Sequence, residues 1–315
     1  MKIYPLKFEA IFKERIWGGQ ALREVFGKDL PAGKSIGESW ELADLPDDKS
    51  VIVNGPLAGK NIAEAIAECG AAITGKDDYT PPLPLLIKIL DAQTKLSVQV
   101  HPDEATCART GKGDPKTECW YIIEANEGAA IYKGLKAGTT RQKFAAAIEN
   151  GTCAELLERI EVTPGECHFL PSGTAHAIGE GLLIAEIQQP SDTTYRVFDW
   201  NRVGDDGKPR QLHVADALES IHFDPSGDDL SIRSDGRLVD ADEFKVDKAT
   251  GQAGSESMLT SGEMKVFMII SGTGTITCED VEDVDFAKGD TLLIPAQFEG
   301  AMAFAADTVY LIAAV

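Results

Sequence analysis

The 315-residue sequence has no run approaching the ~18 apolar residues that a membrane-spanning helix requires. Its first residues, Met1-Lys2-Ile3-Tyr4-Pro5-Leu6-Lys7-Phe8-Glu9, lack the apolar core and small-residue cleavage site of a secretory signal, so a cytoplasmic location is expected. No CxxC pair or disulfide-like framework occurs among Cys69, Cys107, Cys119, Cys153, Cys167 and Cys278, which read as scattered, reduced thiols. Positive charge is scarce: 30 Lys+Arg against 51 Asp+Glu leave a net charge of −21. A surface this acidic repels phosphate backbones and anionic lipid headgroups, so neither nucleic acid nor membrane is an expected partner. An anionic small molecule would need a local cluster of Lys or Arg working against that field.

What the chain does have is a core: 43% hydrophobic and 26% charged residues suit a globular protein of one or two domains. Helical pattern is sparse. Lys60 to Ile73 sets Ile62, Ile66 and Ala67 on one face and ends at a glycine, and Thr140 to Ile160 reads as two helices broken at Gly151. Elsewhere β patterning dominates, in Leu85–Leu90, Lys95–His101, Cys119–Glu124, His168–Leu170 and Leu182–Gln188. An internal repeat sharpens this. Trp120–Glu124 and then Pro164-Gly165-Glu166-Cys167-His168-Phe169-Leu170-Pro171 match Val266–Ile270 and then Lys288-Gly289-Asp290-Thr291-Leu292-Leu293-Ile294-Pro295. Each copy is a strand, a tight turn, a buried strand and a proline at its exit, the unit from which jelly-roll barrels are built. The expected fold is mainly β, two barrels with a small helical annex. Asp224 to Gly254, rich in Asp, Gly and Ser, marks the boundary, giving 1–235 and 236–315. The second copy has no histidine, since none lies beyond His222.

Polar residues concentrate in the first copy. Gln99 and His101, two apart on a strand, leave the same face. Glu118 begins the next strand and His176 follows a Gly-Thr-Ala turn. Together they offer an amide oxygen, two imidazoles and a carboxylate, which can hold a divalent ion with positions left open. Lone residues of these types are more often solvated or structural, and only Gln99 and His101 are tied by local spacing. His168 alternates on a strand whose inner face the sequence does not identify, while His213 and His222 read as structural. Lys88 lies inside the apolar Leu86-Ile87-Lys88-Ile89-Leu90, where burial costs several kcal/mol unless it is paired, so it reads either as a paired buried cation for an anionic ligand or as an exposed residue on an edge strand. Arg196, among acids, hydroxyls and aromatics, reads either as an ion-pair partner or as a fixed cation for an anionic ligand.

Trp17-Gly18-Gly19, Gly37-Glu38-Ser39-Trp40-Glu41-Leu42, Leu86 to Ala92, Leu96 to Asp103, Lys116 to Trp120, Phe169 to Ala177 and Glu186 to Trp200 resemble, in order, the type I mannose-6-phosphate isomerase family in its short bacterial form. The resemblance implies a cupin-type fold and interconversion of mannose 6-phosphate with fructose 6-phosphate through a cis-enediol. It implies one zinc ion held by Gln99, His101, Glu118 and His176, a catalytic Arg196, and a sugar-phosphate pocket lined by Lys88, Ser97, Lys116 and Glu186. A monomer or homodimer is expected. Two rival classes exist: a cupin-type iron oxygenase, for which Gln99 would occupy a position needed for oxygen, and a non-catalytic sugar-phosphate-binding barrel.

Overall fold

A computed structural model describes residues 2–203, 207–224 and 231–315. Of the Asp224–Gly254 boundary stretch, residues 225–230, with Ser226 to Asp229 among them, lie outside the described residues. The fold is mainly β, as the patterning predicts, in four antiparallel sheets. The first half holds a seven-stranded and a five-stranded sheet; the second holds a six-stranded and a four-stranded sheet.

The centre of the seven-stranded sheet is built by Leu86–Ala92 and Leu182–Gln188, both buried at every position. Strands covered on both faces read as continuous apolar runs, and so do these. Their register sets Glu186 opposite Lys88, two of the buried polar exceptions to the run, with Asp91 and Gln188 near the strand ends. Leu182–Gln188 also pairs with Glu118–Ala125, which pairs in turn with Cys167–Leu170. On the other side the sheet continues through Ile36–Leu42 to its edge strand Ile11–Gly19. The five-stranded sheet sets His176–Ile178 between Val98–Val100 and Ala130–Leu135, with Tyr195–Phe198 at its edge.

The repeat is exact in its hydrogen bonding. Glu118 pairs with Leu170, and Lys265 with Ile294. Gly165 and Gly289 have φ of 97° and 90°, and their N–H groups donate to Ile122 O and Ile269 O, both at 2.8 Å. Only glycine enters that left-handed region at little cost. The second barrel thus has Lys265 where the first has Glu118. Leu6–Lys7 pairs with Thr291–Ile294, so the start of the chain closes the edge of the second barrel's sheet. One core cluster runs through both halves, from Leu6, Ile87 and Ala185 to Met264, Val266 and Leu293.

Two expectations need correction. Arg141–Glu149 is a helix capped by the Thr140 side chain and Cys153–Leu156 is a short 3-10 helix, but the second helix ends there: Leu157–Glu161 is a strand paired with Ala130–Leu135. Ile160 sits opposite Ile131 and Leu157 opposite Leu135, and cross-strand packing overrides the helical composition. In the helix Ile62–Cys69, with its Asn61–Glu64 capping box, Ile62, Ala65 and Ile66 are buried while Ala67 is exposed. His213 immediately precedes the helix Val214–Ser220 and His222 follows it.

Candidate active site

Gln99, His101, Glu118 and His176 come from separate strands or strand ends but converge inside the first barrel. His176 and Gln99 are cross-strand partners, and Glu118 enters from the facing sheet. The ligand atoms of His101, Glu118 and His176 all lie within 4.8 Å of one another, and all three side chains are buried. His101 Nδ1 is 2.8 Å from Thr193 O, and His176 Nδ1 is 2.8 Å from Thr174 O. A carbonyl only accepts, so each Nδ1 carries the hydrogen and each Nε2 presents a lone pair. Those Nε2 atoms stand 3.4 Å from Glu118 Oε2 and Oε1 respectively. Burial, with the Lys116 charge, pulls the His101 imidazole down to about 4, and burial lowers that of His176 as well. Both are therefore neutral near pH 7, the state in which imidazole binds a metal.

Lone pairs facing a carboxylate are an arrangement that a cation completes. Neither Glu118 oxygen has a well-aligned hydrogen-bond donor, although each is fully buried. Burial alone would raise the Glu118 carboxyl; the neighbouring Lys116 ammonium is the foremost influence holding it well below its ordinary value. Lys116 Nζ lies 3.1 Å from Glu118 Oε2 and 3.3 Å from His101 Nε2, at the edge of the cluster. Gln99 directs Nε2 at His176 Nε2, at 3.3 Å, while its Oε1 lies 3.4 Å from Ser97 Oγ. A half-turn of the amide exchanges the two atoms and brings Oε1 to the cluster. The donor set fits a divalent ion with open positions.

A cleft of about 490 Å³, the size of a small-molecule pocket, opens beside this cluster. Lys88, Ser97, Gln99, Lys116, Glu186 and Arg196 all line it. Lys88 Nζ is 3.1 Å from Glu186 Oε2, and Trp120 Nε1 donates to Glu186 Oε1 at 3.1 Å. Burial opposes the Lys88 charge, but Glu186 and Glu38 raise its ammonium above its ordinary value. Arg196 is not an ion-pair partner among the described residues. Its Nε donates to Ser97 Oγ at 3.1 Å and its Nη1 to Gln211 O at 3.0 Å. His213 holds the strand beneath it: His213 N donates to Arg196 O at 2.7 Å, and Arg196 N donates to His213 Nδ1 at 3.3 Å. His168 lies apart, fully buried, with Nε2 3.4 Å from Glu166 Oε2.

Five further charged cleft residues were not singled out from the sequence: Glu14, Arg15, Glu38, Asp192 and Arg210. Glu38 and Asp192 fall inside motifs already noted, but Arg15 and Arg210 carry no local signal. Glu38 accepts from Arg15 Nε at 2.9 Å and from Trp40 Nε1 at 2.6 Å.

A model of the phosphomannose isomerase type I catalytic domain matches residues 5–128. The chain is 39% identical over 305 residues to a probable mannose-6-phosphate isomerase, GmuF, of Bacillus subtilis, covering 94% of each. It is 38% identical over 307 residues to the mannose-6-phosphate isomerase ManA of the same organism, again covering 94% of each. The crystal structure of a Bacillus subtilis mannose 6-phosphate isomerase superposes with a TM-score of 0.88 at 33% identity, covering 99% of both chains. The fold also matches, at a TM-score of 0.76 and 17% identity over 99% of this chain and 100% of the other, a mannose 6-phosphate isomerase bound with zinc and yttrium. This chain belongs to the type I mannose-6-phosphate isomerase family of enzymes.

Proposed function

We propose that the protein interconverts mannose 6-phosphate and fructose 6-phosphate through a cis-enediol, using one zinc ion held by Gln99, His101, Glu118 and His176. The observation that carries this reading is the convergence of two neutral imidazole lone pairs on a buried carboxylate without an aligned donor, at the wall of a cleft lined with cations. A solved fold relative that binds zinc supports the choice of ion. When bound, such an ion supplies Lewis-acid charge to the oxygens on C1 and C2 of the open-chain sugar.

The remaining work falls to side chains. Moving a proton from C2 to C1 builds negative charge on oxygen, and Arg196, fixed by Ser97 and Gln211 O, offers a preorganised positive charge to it. Lys88 and Glu186 form a buried pair on adjacent strands and present both signs to the sugar's hydroxyl and carbonyl groups. Lys116 orients Glu118 and borders the same wall. The division into a catalytic part, 1–235, and a supporting barrel, 236–315, belongs to the same reading, with Leu6–Lys7 joined to the supporting sheet. Conversion of mannose 6-phosphate in deuterated water tests it: deuterium should appear at C1 of the fructose 6-phosphate formed. No conversion by the folded, zinc-loaded protein would overturn the reaction, and fructose 6-phosphate still free of deuterium at C1 after many rounds of interconversion would overturn the enediol.

A further inference from the structure

The cations of the cleft fall into two layers. Lys88 and Lys116 form the floor, 4% exposed, each bound to a carboxylate beside the metal cluster. Arg15 and Arg210 form the rim, their side chains 32% and 26% exposed. Arg15 lies on Ile11–Gly19, the edge strand of the seven-stranded sheet, and Arg210 on the segment leading into the helix Val214–Ser220 beside the five-stranded sheet.

Each rim arginine is held by a carboxylate that leaves part of its donor fork unused. Arg15 gives Nε and Nη2 to Glu38 at 2.9 and 3.2 Å, and Nη1 to Glu14 O at 3.3 Å. Arg210 gives Nε and Nη2 to Asp199 at 2.7 and 2.6 Å, and its Nη1 has no partner among the described residues. A guanidinium has five N–H donors, so both retain capacity for a second acceptor. Carboxylates also reach this rim: Glu14 is paired with Lys34 at 3.0 Å, and Asp192 lines the cleft. Asp199 also holds Arg202, and Arg196 brings a charge without a carboxylate partner among the described residues, so Arg15, Arg196, Arg202, Arg210 and Lys34 stand against Glu14, Glu38, Asp192 and Asp199. Burial and the neighbouring Arg210 lower the Arg196 guanidinium, Asp199 works the other way, and Arg202 and Arg15 add to the repulsion. In a chain of net charge −21, arginines gathered at one cleft, Arg196 among them without a carboxylate partner among the described residues, gain stability from a doubly charged anion between them.

We propose that Arg15 and Arg210 form a two-sided clamp for the 6-phosphate of the substrate. This rests on the isomerase reading above. The phosphate is at the opposite end of the sugar from the reacting C1 and C2. With those carbons at the floor beside the metal cluster, the phosphate is delivered to the rim. Planar guanidinium forks held rigid by Glu38 and Asp199 match phosphate oxygens in a way that flexible lysines do not. The clamp makes Arg15 and Arg210 specificity residues, selecting phosphorylated over plain sugars, and leaves Arg196 free for the reacting end.

The test combines steady-state kinetics on mannose 6-phosphate with calorimetric binding of inorganic phosphate, for the zinc-loaded protein and for Arg15→Gln, Arg210→Gln and Arg210→Lys. The neutral variants should remain folded, since Asp199 keeps Arg202 and Glu38 keeps Trp40 Nε1. Each Gln variant should raise KM far more than it lowers kcat, and weaken phosphate binding by about tenfold to a hundredfold, the loss of charged hydrogen bonds. Arg210→Lys should fall between, and it also serves if Arg210→Gln does not fold. Unchanged KM and unchanged phosphate affinity in active variants would overturn the clamp while leaving the isomerase reading intact. Weakened phosphate binding in a protein that converts no mannose 6-phosphate would keep the clamp and overturn the isomerase.

Discussion

Two hydrogen bonds, to Ser97 Oγ and Gln211 O, fix the Arg196 guanidinium without neutralising it. A charge held this way costs little reorganisation when negative charge develops nearby. Arg196→Gln should therefore retain bound metal but lower kcat by on the order of a hundredfold. Metal analysis and kinetics on the same preparation check this, and wild-type turnover would remove Arg196 from the catalytic group. Glu38 gives a second residue-scale expectation. Burial works to raise its carboxyl, but Lys88, Arg15 and Trp40 Nε1 hold it below its ordinary value of 4.5. The unfolded chain therefore takes up the proton first as pH falls. The stabilisation is complete above the ordinary value and is lost as pH drops through the lower folded-state value. Glu38→Gln should flatten the fall in melting temperature below about pH 5, seen by calorimetry against the wild type; parallel curves would contradict it.

Between residues and whole molecule, the strands Ile11–Gly19 and Ile36–Leu42 explain two motifs that had no chemistry of their own. A Cβ on Gly18 would stand 2.4 Å from Gly37 N, and one on Gly37 would stand 2.6 Å from Arg15 Cβ. The glycines let two backbones approach closely enough to seat Trp17, Arg15 and Glu38 along the cleft. Gly18→Ala should cost ~2 kcal/mol by forcing the strands apart, read as a shift in denaturant midpoint; an unchanged midpoint would contradict the close approach. Local signals of this kind were the legible ones. The Gly165 and Gly289 turns, the buried strand after each, and the same-face pair Gln99 and His101 follow from spacing and backbone preference. Leu157–Glu161 was misread because its leucines and charges suit a helix until Ala130–Leu135 lies beside it. Arg15 and Arg210 were illegible for a related reason: their meeting depends on long-range pairing of sheet edges, which leaves no periodicity near either residue.

At the scale of the whole molecule, two copies of one strand–turn–strand unit share their backbone pairing and differ in their polar residues. The second keeps the glycine turn and strand pairing but has Lys265 in place of Glu118, and no histidine. Its contribution is packing: Met264, Val266 and Leu293 share a core cluster with Ile87, Ile89 and Ala185. Those strands carry Lys88 and Glu186, so the second barrel packs behind one wall of the cleft. The net charge of −21 and the cluster of Lys88, Lys116, Arg15, Arg196 and Arg210 at the cleft set a local cationic site against an acidic whole. The most direct test is a zinc titration of chelator-treated protein, with mannose 6-phosphate conversion and bound metal read from the same samples. Activity should rise in proportion to zinc and level off at one ion per chain, and His176→Ala should show neither the binding nor the rise. Full activity in metal-free protein, or a His176→Ala protein that still binds one zinc with unchanged affinity, would contradict the account.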